Sequence, residues 1–251
     1  MRRLLLVALA LILCTEAFAA KRYTLLSPNG KLEVTIVAEP ALSYSVKCEG
    51  NEVLAPSKIG LKFYNGSVSE KIAVKRVKKS TVNSTIATKF YFRDEIKDHY
   101  NAIRIDFSAH YAVEFRAYDE GVAYRFVTNF KHDFILENEI AEFAFAKDYK
   151  GYFAYSNRTG TRKDNYFTSF EGAYQHVELS KIDSTRVAFS PAIVEVDKYK
   201  VCILESDVEH YPGMFLSNKK GAKAVYAEFA PMPDKAVEGG YHNLDGIVES
   251  R

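Results

Sequence analysis

Two acidic segments of this 251-residue chain carry residue types that can do chemistry. In TSFEGAYQHVELSKI, residues 168–182, one carboxylate, Glu171, stands between Phe170 and Gly172, with Ala173 and Tyr174 following. It reads either as an ordinary surface residue beside a turn or as a metal ligand. Calcium takes several oxygen ligands, so one carboxylate is at most part of a site completed from elsewhere. In ESDVEHYPGMFL, residues 205–216, Glu205 and Asp207 precede His210, Tyr211, Pro212 and Gly213. That pair reads as a sugar-binding or acid/base edge, or as a turn in which Asp207 accepts backbone N–H bonds.

Other chemistries lack their residues. His99, His110, His132, His176, His210 and His242 show neither HExxH nor HxH spacing, which removes the usual zinc signatures. GxSxG is absent, as are GxGxxG and GxxxxGK[ST], so neither a serine hydrolase nor a nucleotide site has support. The basic run VKRVKKS, residues 74–80, alternates with valines and reads as a solvated strand face. Asn65, Asn83 and Asn157 begin N-x-[ST] triplets, which read as exposed turns.

These residues sit in an exported chain. MRRLLLVALALILCTEAFAA opens with two arginines, continues through an apolar run too short to span a bilayer comfortably, and ends in a small-x-small cleavage pattern. Residues 1–19 are therefore a signal peptide, and the mature protein is expected in the periplasm or outside the cell. A lipid anchor at Cys14 is the weaker reading, because bulky Leu13 precedes it. Removing the leader lowers the formal net charge from +2 to +1, which gives no electrostatic case for nucleic acid or for an anionic membrane. Cys48 and Cys202 remain. Export permits a disulfide, but each lies in an apolar-patterned strand, so two separate buried thiols are an equal expectation.

The positioning elements are strands. The chain holds 17 Tyr and 17 Phe with no Trp, and its β-branched and aromatic residues favour sheet. LEVTIV (32–37), SYSVKC (43–48), KIAVKRV (71–77), AIRIDF (102–107), YAVEFRAY (111–118), VAYRFVTNF (122–130), VAFSPAIVEV (187–196), YKVCILE (199–205) and AKAVYAEFA (222–230) have strand character. In the hairpin around Asp119-Glu120-Gly121, Val113, Phe115 and Ala117 face one way, and Val122, Tyr124 and Phe126 repeat that face. Residues 146–184 lack periodicity and read as long loops with short strands, where function concentrates. The fold class is all-β, with many antiparallel strands in two packed sheets.

Several segments match one pattern together: SPNGKLEVTI (27–36), LSYSVKCEGNEVLAPSKIGLKF (42–63), AIRIDFSAHYAVEFRAYDEGVAYRF (102–126), SFEGAY (169–174), ESDVEHYPGMFL (205–216) and AEFAPMP (227–233). Their order and spacing resemble the N-terminal domain of glycoside hydrolase family 97, the bacterial periplasmic α-glucosidases and α-galactosidases of the starch-utilisation type. The resemblance covers nearly the whole mature chain. It implies a galactose-mutarotase-like β-super-sandwich over residues 20–251, followed in relatives by a catalytic (β/α)₈ barrel and a small C-terminal β-domain. The catalytic carboxylates sit on that barrel, at a separation that sets inversion or retention. The family also carries an active-site calcium, ligated in part by one glutamate of the N-terminal domain. By its place in SFEGAY, the resemblance implies that Glu171 is the matching glutamate.

The resemblance further implies an α-linked oligosaccharide as substrate and the barrel, in cis or in trans, as partner. EGGYHNLDGIVESR stands where a relative runs into its first barrel strand. The barrel and C-terminal domain are therefore expected to be absent, no catalytic residue is assigned, and the chain is expected to be inactive alone. A stand-alone carbohydrate-binding module and an inactive gene fragment are the rival readings. The lack of Trp removes one sugar-stacking platform, though Tyr and Phe can serve.

Overall fold

The period-two patterning carries through to strands with one face in a core. The computed structural model describes residues 20–64, 73–157, 165–166, 170–209 and 211–230, and the backbone of 233–236 and 247–250. The leader, Asn65, His210 and His242 lie outside the described residues.

The strands are β1 (Arg22–Leu26), β2 (Leu32–Val37), β3 (Ser43–Cys48), β4 (Asn51–Phe63), β5 (Val74–Ala87), β6 (Glu95–Phe107), β7 (Tyr111–Tyr118), β8 (Val122–Thr128), β9 (Leu136–Ala144), β10 (Lys150–Tyr155), β11 (Gln175–Glu178), β12 (Ala188–Val196), β13 (Tyr199–Ile203), β14 (Met214–Ser217), β15 (Ala224–Phe229), β16 (Pro233–Ala236) and β17 (Ile247–Ser250). A 3₁₀ turn, Leu179–Lys181, precedes β12, and residues 165–166 are also helical. An 11-stranded sheet runs β1-β2-β3-β4-β9-β15-β14-β12-β10-β11, with β13 also on β12; β5-β6-β7-β8 form a second sheet, and β16-β17 a two-stranded pair. All pairings are antiparallel.

The four-stranded sheet packs on the β1–β4 part of the large one. Val113, Phe115 and Ala117 are fully buried, and they stand opposite Phe126, Tyr124 and Val122 as the hairpin pattern requires. Phe115 and Tyr124 meet Tyr44 of β3 at 5.5 and 5.6 Å between ring centres. The solvent face of the same four strands is charged. Asp106 accepts from Arg76 and Arg104 at 2.9 Å each, and Glu114 accepts from Arg104 at 3.0 Å and Arg125 at 2.7 Å. Burial opposes ionisation of Asp106, but the two guanidinium hydrogen bonds outweigh it and hold the carboxyl below the usual aspartate value.

β4 joins the two halves of the large sheet by bending. Its register shifts between Ala55 and Ile59, and Pro56, which has no N–H to give a ladder, lies at that shift. Buried Ser57 repairs the gap: its hydroxyl donates to Ala55 O at 2.8 Å and accepts from Ala144 N–H at 2.9 Å. The second half of the core then gathers on the inner face of β9, β10, β12, β14 and β15, around Phe153, Val194, Leu216 and Val225, with Leu179 of the 3₁₀ turn beneath.

Several elements differ from the periodicity reading. β5 and β6 are 14 and 13 residues long, well past VKRV and AIRIDF, because their outer portions lie in solvent and show no alternation. β9, β10, β11 and β14 escaped the pattern because charges or loop residues interrupt them. Asn83 lies in β5 rather than in a turn. Cys48 and Cys202 are free; Cys48 is half-buried and Cys202 is exposed, since it falls on the solvent side of β13.

Candidate functional site

Strand alternation places a second set of aromatics on the outer face of the large sheet. In β12, Ala192, Val194 and Val196 enter the core, so Phe189, Ile193 and Glu195 point the other way. Phe215 of β14 stands opposite Phe189, and Tyr152 of β10 stands between Ile193 and His176 of β11. Tyr152 and His176 stack at 4.3 Å with 9° between their planes. His176 Nε2 lies 3.0 Å from Glu195, which also accepts from Lys200 at 2.7 Å; these bonds hold the Glu195 carboxyl below its ordinary value.

Three described aromatics between β10 and β11, Tyr166, Phe170 and Tyr174, pack against this face. Phe170 meets Phe189 edge-on at 5.0 Å and Phe215 at 5.7 Å. Tyr166 packs on Phe215 at 5.1 Å and donates its hydroxyl to Glu228 at 2.9 Å. Tyr174 closes the other side, 6.2 Å from Phe189, with its hydroxyl 3.4 Å from Pro191 O.

Glu171 is the residue after the Phe170 wedge. Gly172 follows it, and a side chain there would bring a Cβ to 3.3 Å from Asn157 Oδ1. The preceding residue, Phe170, is held by packing, while the Glu171 side chain is exposed. Among the described residues it has no hydrogen-bond or ion-pair partner, so it neither caps a turn nor joins a surface pair. No group of three or more His, Cys, Asp or Glu is close enough to hold a metal among the described residues.

The 205–216 segment does different work. The Glu205 carboxylate accepts the Met214 N–H at 2.8 Å through each oxygen, closing the loop before β14. The turn reading of this segment holds, but Glu205 and not Asp207 clamps it; Asp207 adopts a positive φ of 59°.

Sequence reasoning missed Glu139. It points inward from β9, where its carboxylate accepts from Tyr211 at 2.7 Å and Tyr124 at 3.3 Å. Burial raises the Glu139 carboxyl above its ordinary value, and the Glu205 charge adds to that, against the two tyrosine hydrogen bonds. The LENEIAEFA pattern offered no signal, because an inward glutamate breaks the alternation that identifies a strand.

Comparison with known proteins gives this geometry a context. The sequence profile of the family described as Glycosyl-hydrolase 97 N-terminal matches residues 25–237. The chain is 37% identical over 243 residues to a retaining α-galactosidase of Bacteroides thetaiotaomicron, covering 95% of this chain and 37% of that protein. Among solved structures, a glycoside hydrolase family 97 enzyme from Pseudoalteromonas sp. strain K8, in complex with acarbose, superposes with a TM-score of 0.69 at 20% identity, over 82% of this chain and 32% of that one. A β-arabinopyranosidase superposes with a TM-score of 0.71 at 16% identity, over 85% and 36%. The chain thus spans about a third of the length of these relatives.

Proposed function

The chain belongs to the glycosyl-hydrolase 97 N-terminal family, and from that premise we propose that it serves a calcium-dependent α-glycosidase as a scaffolding and carbohydrate-contacting domain. In this reading the outer aromatic face walls a pocket for an α-linked oligosaccharide, and Glu171 lends one ligand to a calcium ion completed by the catalytic barrel. The leader would deliver the domain to the periplasm or beyond.

The observation that carries the reading is Glu171 itself. Its backbone is anchored by Phe170 on Phe189 and Phe215, yet its carboxylate is exposed and unpaired among the described residues. A hard oxygen ligand must be held in place before the ion arrives, because ordering a long side chain costs about 1.5–2 kcal/mol of rotamer entropy. Calcium held there would act as a Lewis acid toward a sugar oxygen. The residues of this chain supply the platform: Phe170, packed on Phe189 and Phe215, holds the backbone from which the carboxylate projects.

A chimera tests this. Residues 20–251 replace the matching segment of the Bacteroides α-galactosidase, and hydrolysis is followed against free calcium. Glu171→Gln should raise the calcium needed for half-maximal activity by about tenfold or more. Glu178→Gln, which removes only an exposed pair with Lys150, should leave it unchanged. Calcium dependence indifferent to Glu171→Gln would overturn the assignment.

A further inference from the structure

β14 is a short strand, Met214–Ser217, and its ladder is complete on one side only. All of its residues pair with β15, from Met214 opposite Phe229 to Ser217 opposite Tyr226. On the other side β12 reaches only its middle, with Ala188 opposite Leu216 and Phe189 opposite Phe215. From Ala192 onward β12 pairs with β13 instead. The sheet therefore forks beside Met214, where the register with β12 stops.

Glu205 fills the fork. It stands just past Ile203, the last residue of β13, and each of its carboxylate oxygens accepts the Met214 N–H at 2.8 Å. A carboxylate accepts an N–H more strongly than a neutral carbonyl does. The bond ties the end of β13 to the start of β14 where no strand register joins them.

The next residue is Phe215. Side chains alternate along a strand, so with Met214 buried in the core, Phe215 stands on the outer face. The direction in which its ring leaves the sheet depends on the backbone that Glu205 holds. Phe170 rests on that ring at 5.7 Å and Tyr166 at 5.1 Å, and Glu171 directly follows Phe170.

We propose that Glu205 is a positioning residue for the Glu171 segment: by closing the fork at Met214 it sets Phe215, and through Phe215 the seat of Phe170. Its consequence for calcium rests on the reading of Glu171 given above; the coupling to Phe170 does not. Phe189 supports Phe170 separately at 5.0 Å, so loss of Glu205 loosens the seat without abolishing it. The rest of the 205–213 loop has its own ties, Tyr211 on Glu139 at 2.7 Å and on the Phe229 ring at 5.7 Å, which remain when Glu205 is changed.

The chain contains no Trp, so Phe170→Trp introduces a single fluorescent reporter at the seat. In the purified chain without calcium, adding Glu205→Ala should red-shift its emission and raise its quenching by acrylamide. Glu205→Gln keeps the side-chain length and one acceptor oxygen and should fall between the two. Phe215→Ala should give the larger change, and Glu205→Ala on top of it should add nothing, because both act through one ring. A purely structural role would lower the unfolding midpoint and leave the folded-state emission unchanged. That result in Glu205→Ala, or in Glu205→Gln if only that variant folds, would overturn the proposal, as would full additivity with Phe215→Ala. In the chimera, Glu205→Ala should raise the calcium needed for half-maximal activity severalfold, by less than Glu171→Gln does. A response to Glu171→Gln with none to Glu205→Ala would overturn the positioning role. Indifference to both, with the reporter shifted, would uphold the coupling and overturn the calcium reading alone.

Discussion

The two faces of the large sheet treat aromatic side chains differently. On the inner face Phe153 retains 1% of its exposure, and Val194, Leu216 and Val225 are equally enclosed. On the outer face Phe189, Phe215 and Tyr152 are half-buried, and Tyr174 is 47% exposed. An antiparallel sheet with one face in water ordinarily alternates apolar and polar residues. Here the outer face is aromatic, and a loop bearing one unpaired carboxylate covers it only in part. The inner face is closed by this chain. The outer face is left partly open among the described residues, and the proposed pocket wall lies there.

That contrast can be broken by substitution. Phe153→Ala, on the inner face, should cost about 3–5 kcal/mol in urea unfolding. Gly151→Ala should cost about 1–3 kcal/mol, because its Cβ would lie 2.7 Å from the Phe153 ring and 2.9 Å from Ile193 O. Phe189→Ala, on the outer face, should cost less, about 1.5 kcal/mol, since only part of its area is withdrawn from water. A cost as large as that of Phe153→Ala would mean that the outer face is core. Glu171→Gln should stay within about 0.5 kcal/mol of the parent.

The pH dependence adds a second comparison, because the Asp106 and Glu139 carboxyls are shifted in opposite directions. Asp106 is held below its ordinary value, so its contribution is complete above about pH 3.9 and is lost as pH falls through the lower folded value. Asp106→Asn should remove about 2 kcal/mol at neutral pH and flatten the acid limb. Glu139 is held above its ordinary value, so ionising it costs stability. That cost is absent below about pH 4.3 and grows as pH rises through the higher folded value. Glu139→Gln should therefore remove a decline in stability toward neutral pH. Unfolding midpoints across pH 3–8 would show both.

The fold was legible wherever alternation survives burial on one face. LEVTIV, SYSVKC and YAVEFRAY fall on β2, β3 and β7 with both ends in place. The free half of β5 and β6 was not legible, because a strand exposed on both faces has no reason to alternate. Glu139 was invisible for the converse reason: a carboxylate turned inward is satisfied by Tyr124 and Tyr211, which are distant in sequence. Glu171 could be singled out by its aromatic and glycine neighbours. What those neighbours do, with Phe170 wedged between Phe189 and Phe215, depends on strands β12 and β14 and no local pattern encodes it.

The central claim is that Glu171 is a calcium ligand presented by an anchored loop on the outer face. Calorimetric titration of calcium into the chimera, with and without Glu171→Gln, tests it most directly and does not depend on turnover. The account predicts saturable binding that weakens by about tenfold or more in the variant. Equal affinity in the two proteins would contradict it.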